Sequence, residues 1–210
     1  MRGTIVVAVA LLAGCDPLAD SDYVGQPMFT LQGTFASKAN APSSPVGGVA
    51  LLWQDARGAG GPGVAATAVP VSVKFPAAFE VSVPGPPPEA ARFTLGAGEP
   101  EIAEAYVYVV ADVKAPRQTT RGMDRAHVLV WASAEVAAGS PTAGYLGGPV
   151  GAGYHLRRFQ PMDAVLPQQQ VLIDRCVANG AAREACVTRR AYQLEAITDE
   201  ARLSIEVSPP

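Results

Sequence analysis

The chain has 210 residues, of which 49% are hydrophobic and 17% charged, with 21 Gly and 19 Pro. That balance excludes a charged disordered chain, a coiled coil, a collagen and a multi-span membrane protein, and it fits a folded, turn-rich body. A formal net charge of −3 gives the molecule as a whole no attraction to nucleic acid or to anionic lipid.

Met1-Arg2-Gly3 is a short basic start, and the apolar run over residues 4–13 suits the central region of an export signal while being too short to span a bilayer. Leu12-Ala13-Gly14-Cys15 resembles the lipobox of bacterial lipoproteins, in which small residues fit the lipoprotein signal peptidase and the cysteine receives lipid. The resemblance implies removal of residues 1–14, diacylglycerol on the Cys15 sulfur and an acyl chain on its freed amine. Several chains are needed for stable attachment, because each buried methylene contributes only about 0.8 kcal/mol. Asp16 resembles the inner-membrane retention signal of enteric bacteria, but the choice of inner or outer membrane, and of leaflet, stays open. Loss of residues 1–14 takes Arg2 with it and leaves a net charge of about −4. No later run reaches the ~18 apolar residues of a transmembrane helix, so the membrane is expected to be met through Cys15 alone.

Residues 15–26 are polar, hold three aspartates and have no period, as expected of a tether. From Pro27 the pattern alternates. Phe29, Leu31 and Phe35 oppose Thr30, Gln32 and Thr34, and Val49, Leu51 and Trp53 repeat this pattern. Further strands are predicted over residues 69–75, 79–83 and 91–95, separated by proline-rich turns. Residues 101–113 form the longest strand candidate, apolar on both faces and therefore central, with Ala105, Val107 and Val109 opposite Tyr106 and Tyr108. Residues 127–132, 153–159 and 203–207 complete about nine strands, the pattern of one antiparallel β-sandwich over residues 27–210. The stretches 58–63 and 139–153 read as low-complexity loops, and neither is followed by the Lys-Ser/Thr of a phosphate cradle.

Residues 163–200 interrupt the strands, with 168–178 and 181–194 rich in Ala, Gln, Arg and Leu and read as helical. If Cys15 carries lipid, Cys176 and Cys186 remain as an even pair in an exported chain, and a disulfide is expected. In one unbroken helix their Cα atoms would lie about 15 Å apart, against the roughly 7 Å that a disulfide tolerates. The chain must therefore turn between them, and Asn179-Gly180 is a turn signal in the right place. The pair lacks the CxxC spacing and neighbouring histidines of a zinc site, so no metal is expected.

No catalytic or cofactor motif stands out. His127 and His155 lie within strand candidates, and Ser140 lacks the flanking residues of a nucleophile elbow. Glu99, Glu101 and Glu104, with Asp112, are the densest acidic group and the best placed for glycoside hydrolysis, although solvent-facing strand ends are the simpler interpretation. Arg157-Arg158 and Arg189-Arg190 are local basic pairs, expected to make surface ion pairs rather than to bind nucleic acid. Trp53 shares a face with Val49 and Leu51 and is expected in the core. Tyr106 and Tyr108 stand opposite the Val/Ala face and are the candidate ligand-binding residues, since an aromatic sheet face can stack sugars.

The lipobox, the opening strand Gly25-Gln26-Pro27-Met28-Phe29-Thr30-Leu31-Gln32-Gly33-Thr34, the strand Val49-Ala50-Leu51-Leu52-Trp53 and the segment Phe75-Pro76-Ala77-Ala78-Phe79-Glu80-Val81 together resemble uncharacterised lipoproteins of high-GC Gram-negative bacteria. The resemblance covers about the first two-thirds of the mature chain. It implies an immunoglobulin- or transthyretin-like β-sandwich and brings no catalytic residue and no cofactor with it. The leading expectation is a non-enzymatic envelope lipoprotein that contacts another envelope component. A carbohydrate or small ligand on the Tyr106/Tyr108 face comes second, and a hydrolase using the carboxylates near Glu101 third.

Overall fold

The computed structural model describes residues 28–37, 47–56, 63–71, 77–162, 164–188, 192–197 and 203–207. The strands are β1 (Phe29–Ser37), β2 (Gly48–Trp53), β3 (Ala65–Pro70), β4 (Ala77–Val83), β5 (Ile102–Val110), β6 (Thr120–Met123), β7 (His127–Ala132), β8 (Gly153–Pro161), β9 (Tyr192–Ala196) and β10 (Leu203–Val207). The helices are α1 (Pro141–Leu146), α2 (Gln170–Ala178) and α3 (Arg183–Thr188), with 3-10 turns at Glu89–Ala91 and Pro167–Gln169. The chain is mainly β, in two sheets. A small sheet has the order β10-β1-β4, and a larger one runs β3-β2-β5-β7-β8-β9, with β6 also paired to β5. Pairing in the large sheet is antiparallel throughout, whereas β1 and β10 run parallel in the small one, a departure from the all-antiparallel expectation.

Alternation in sequence becomes two faces in space, since successive strand side chains point to opposite sides. In β4, Ala77, Phe79, Val81 and Val83 are buried, while Ala78, Glu80 and Ser82 face solvent. Those four residues join Leu31 of the small sheet and Val49, Leu51, Trp53, Ala103, Ala105, Val107, Val109, Leu129, Trp131 and Leu156 of the large one in a single core. Trp53 lies in this core as the sequence predicts. The opposite face of the large sheet carries a second core, in which Ile102, Val128, Val130 and Leu194 pack on Ala143, Tyr145 and Leu146 of α1 and on Leu172 of α2. Strand β5 therefore has apolar neighbours on both faces, which is why its sequence reads as nearly continuous apolar residues.

Several elements differ from the expectation. Residues 91–95 do not form a strand. Prolines 84 and 86–88 lead into the 3-10 turn, after which Phe93 makes only an isolated bridge to Ile102. Strand β3 lies earlier than the predicted 69–75, and residues 72–76 of that segment fall outside the described residues. Within the supposed loop 139–153, α1 forms because Ser140 Oγ accepts from Ala143 N at 3.1 Å, Pro141 occupies the first turn, and Gly147 ends the helix at φ +74°. The predicted helix 181–194 is cut short. Helix α3 spans Arg183–Thr188, residues 189–191 with the predicted surface pair Arg189-Arg190 fall outside the described residues, and Tyr192 and Leu194, alternating with Gln193 and Glu195, instead add β9 to the edge of β8.

The predicted cystine is present. Cys176 of α2 and Cys186 of α3 are bonded with Cα atoms 6.0 Å apart, and Gly180, at φ +90°, provides the reversal between them. Cys15 lies outside the described residues.

Candidate functional site

Tyr106 and Tyr108 project from β5 on the side opposite Val107 and Val109, where Tyr106 meets the helical layer and Tyr108 packs among residues of the sheet. Both are half-buried. The Tyr106 ring stacks on Phe159 of β8, with centroids 5.6 Å apart and planes at 5°, and Tyr192 of β9 meets the same Phe159 edge-on at 4.8 Å. Tyr108 lies beside Ala50, Leu52 and Val110 and is hydrogen-bonded to Gln54. Burial pushes its phenol above the ordinary value, partly offset by that hydrogen bond.

The polar centre of this face is Glu104, whose side chain is sealed from solvent. Tyr106 donates from its hydroxyl to Glu104 Oε2 at 3.2 Å, and the hydroxyls of Tyr145 and Tyr192 both reach Glu104 Oε1, the latter at 3.5 Å. Tyr145 and Tyr192 also bond to each other at 2.9 Å. Strand β5, helix α1 and strand β9 thus converge on one carboxyl group. Buried Gln169, in the 3-10 turn before α2, extends the network by donating to the Tyr192 carbonyl at 2.6 Å and accepting from Leu166 N at 2.9 Å. A buried carboxyl group is tolerated where donors satisfy its oxygens, and three phenols on three elements do so here. Chemically the arrangement is a polar tie between sheet and helices, with one face of the Tyr106 ring already occupied by Phe159.

The other carboxylates singled out in the sequence are dispersed among separate partners. Glu99 accepts from Thr142 N at the start of α1, Glu101 pairs with Arg92 at 3.8 Å, and Asp112 accepts from Lys114 N at 2.8 Å. His155 bonds the Gly151 carbonyl, and His127 bonds Asp124 at 2.8 Å through Nδ1, Asp124 also accepting from Ala126 N. Among the described residues, no cluster of three or more His, Cys, Asp or Glu could hold a metal ion. Arg158 is exposed, whereas Arg157 is buried on the helical side of β8, contrary to the surface role expected for the pair.

Sequence reasoning found Tyr106 and Glu104 but missed Tyr145, Tyr192 and Gln169. The cap residues around α1 and the alternation in β9 would have placed the two tyrosines on ordered elements. Nothing in sequence spacing brings residues 41 and 88 positions away onto Glu104. Compared with protein-family models, with curated proteins and with solved structures, the chain matches none.

Proposed function

We propose that the protein is an exported lipoprotein, anchored in the cell envelope through Cys15, whose body is an immunoglobulin- or transthyretin-like β-sandwich acting as a non-enzymatic interaction module. The carrying observation is the cystine. Pairing of Cys176 with Cys186 leaves Cys15 as the one cysteine outside a disulfide, placed directly after an apolar export segment. Structural disulfides belong to oxidising compartments, which agrees with export. In this reading residues 1–14 are removed, 15–26 are the tether, and 27–210 form one domain. The core drawn from both sheets supports the sandwich. A carbohydrate ligand on the Tyr106/Tyr108 face has less support, because the Tyr106 hydroxyl and one face of its ring are engaged internally.

The test is the mass of the N-terminal peptide recovered from native membranes, for the wild type and for Cys15→Ala. A lipid-modified cysteine at the mature N-terminus that is absent from the variant is expected. An unmodified or uncleaved N-terminus in the wild type would overturn the proposal.

A further inference from the structure

The weakly negative net charge conceals a local excess of the opposite sign. The connection from β5 to β7 carries Lys114, Arg117, Arg121 and Arg125, all exposed. Lys114 and Arg117 lie in the turn between β5 and β6. Arg121 sits where the β5–β6 register shifts, between the pairs Val110↔Thr120 and Val109↔Gly122. Arg125 lies between β6 and β7, and exposed Arg158 is on β8, paired in register with His127 on one side and with Glu195 of β9 on the other, at no ion-pair distance from it. The two acidic residues of this connection are turned to local partners. Asp112 accepts from Lys114 N, and Asp124 accepts from Ala126 N and holds His127. Among the described residues, none of the five cations is ion-paired with a carboxylate. The turn is also held internally, with Ala111 N donating to Thr119 O at 2.8 Å and Asp112 N to Thr119 Oγ1 at 3.1 Å, so its cations are presented on an ordered frame.

We propose that this end of the body binds an acidic polysaccharide. Charge complementarity argues for a polyanion, and four arginines among the five cations suit the bidentate recognition of carboxylate, sulfate or phosphate oxygens. A bilayer surface has less support, since no exposed large apolar side chain among the described residues accompanies the cations to add burial to the electrostatic attraction. Among the described residues, the exposed large hydrophobic side chains are Met28 and Val171, which lie on other segments.

Topology adds a second argument. The chain enters the body at Phe29, whose ring lies 5.6 Å from that of Tyr154 near the start of β8. Strands β5 and β8 both run antiparallel to β7, so the far end of β5, with its basic turn, lies at the opposite end of the body from Phe29. This second argument, which turns the patch away from the anchoring bilayer, rests on the proposed lipid anchor. The charge argument does not.

The test uses the full-length chain purified in detergent, with polygalacturonate as probe, uncharged dextran as control and anionic phospholipid vesicles as competitor surface. Binding to polygalacturonate but not dextran is expected, weakening steeply as salt is raised. The combined variant Lys114→Glu/Arg117→Glu/Arg121→Glu/Arg125→Glu is expected to lose affinity by roughly ten-fold or more. Arg183→Glu, which removes an exposed cation of α3, is expected to leave affinity unchanged. If charge reversal compromises folding, the pairs Lys114→Gln/Arg117→Gln and Arg121→Gln/Arg125→Gln are each expected to weaken binding several-fold at unchanged melting temperature. No binding to the acidic polymer, equal loss in Arg183→Glu, or tighter binding of the Cys15→Ala chain to the vesicles than to the polymer would overturn the proposal. Repeating the measurement on Cys15→Ala separates it from anchoring, because loss of the lipid leaves polymer affinity unchanged.

Discussion

Glu104 shows how a single position sets the cohesion of a whole layer. Its carboxyl group accepts from phenols on β5, α1 and β9, so truncation to Ala removes the shared acceptor and leaves buried hydroxyls to find other partners. A buried donor left without its partner costs about 1–3 kcal/mol. Glu104→Ala is therefore expected to destabilise by about 3 kcal/mol or more in chemical denaturation, against about 1–2 kcal/mol for Tyr145→Phe, which removes one donor and keeps the ring in place. Because the groups act as a unit, Glu104→Gln combined with Tyr145→Phe is expected to cost less than the sum of the two single changes, by about 0.5 kcal/mol or more. Strict additivity would show that the tyrosines do not depend on Glu104. The sequence marks Tyr106 and Glu104 as neighbours on one face of β5, but it places them as a ligand surface and strand end. Their burial is decided by α1 and β9, whose return over this face no local pattern announces.

At the scale of elements, the strands with strict alternation were legible and those defined by their partners were not. Strands β1, β4 and β10 follow period two closely, β2 and β7 are apolar and buried at almost every position and were legible as short apolar runs, and all five predicted positions hold to within a few residues. Strand β6 has only four residues, Thr-Arg-Gly-Met, with no alternation, and exists because it continues along the edge of β5 that β7 also pairs. Helix α1 depends on cap chemistry rather than amphipathic length. Its terminal Gly147 approaches β9 so closely that a Cβ there would collide with the Leu194 carbonyl. The disulfide was legible because cysteine parity and helix geometry constrain it independently of the rest of the fold. It closes a loop of sequence separation 10 between α2 and α3, and its removal in Cys176→Ala/Cys186→Ala is expected to cost about 2–3 kcal/mol from chain entropy alone. Thermal unfolding of this variant checks the figure. An unchanged melting temperature would mean that Ile173, Val177 and Val187, packed around the cystine, hold the helical pair without it.

Across the whole molecule, the large sheet is covered on both faces, by the small sheet on one and by the helices on the other, and alternation within single strands says nothing about which layer meets which face. One side chain spans the first of these contacts. Tyr154 leaves β8 of the large sheet and donates its hydroxyl to the carbonyl of Gly85, just beyond β4 of the small one, at 2.5 Å. Its ring lies 5.6 Å from Phe29 of β1 and 6.0 Å from Trp53 of β2. Burial raises its phenol to about 12, an effect that the nearby Arg92 charge only partly opposes. In the unfolded chain the same phenol titrates near its ordinary value of 10.0. Below about pH 10 the group is neutral in both states and its full contribution to stability is present. Between about pH 10 and 12 the unfolded state releases the proton first, so stability falls as pH rises, and the contribution is lost once pH passes the folded value. Tyr108, raised in the same direction, adds to the slope. Tyr154→Phe is therefore expected to be less stable than wild type near neutral pH, having lost the bond to Gly85, yet to lose stability more gradually between pH 10 and 12. Denaturant midpoints measured across that range decide the matter: parallel curves for the two proteins would mean that Tyr154 does not couple the packing of the two sheets to alkaline titration.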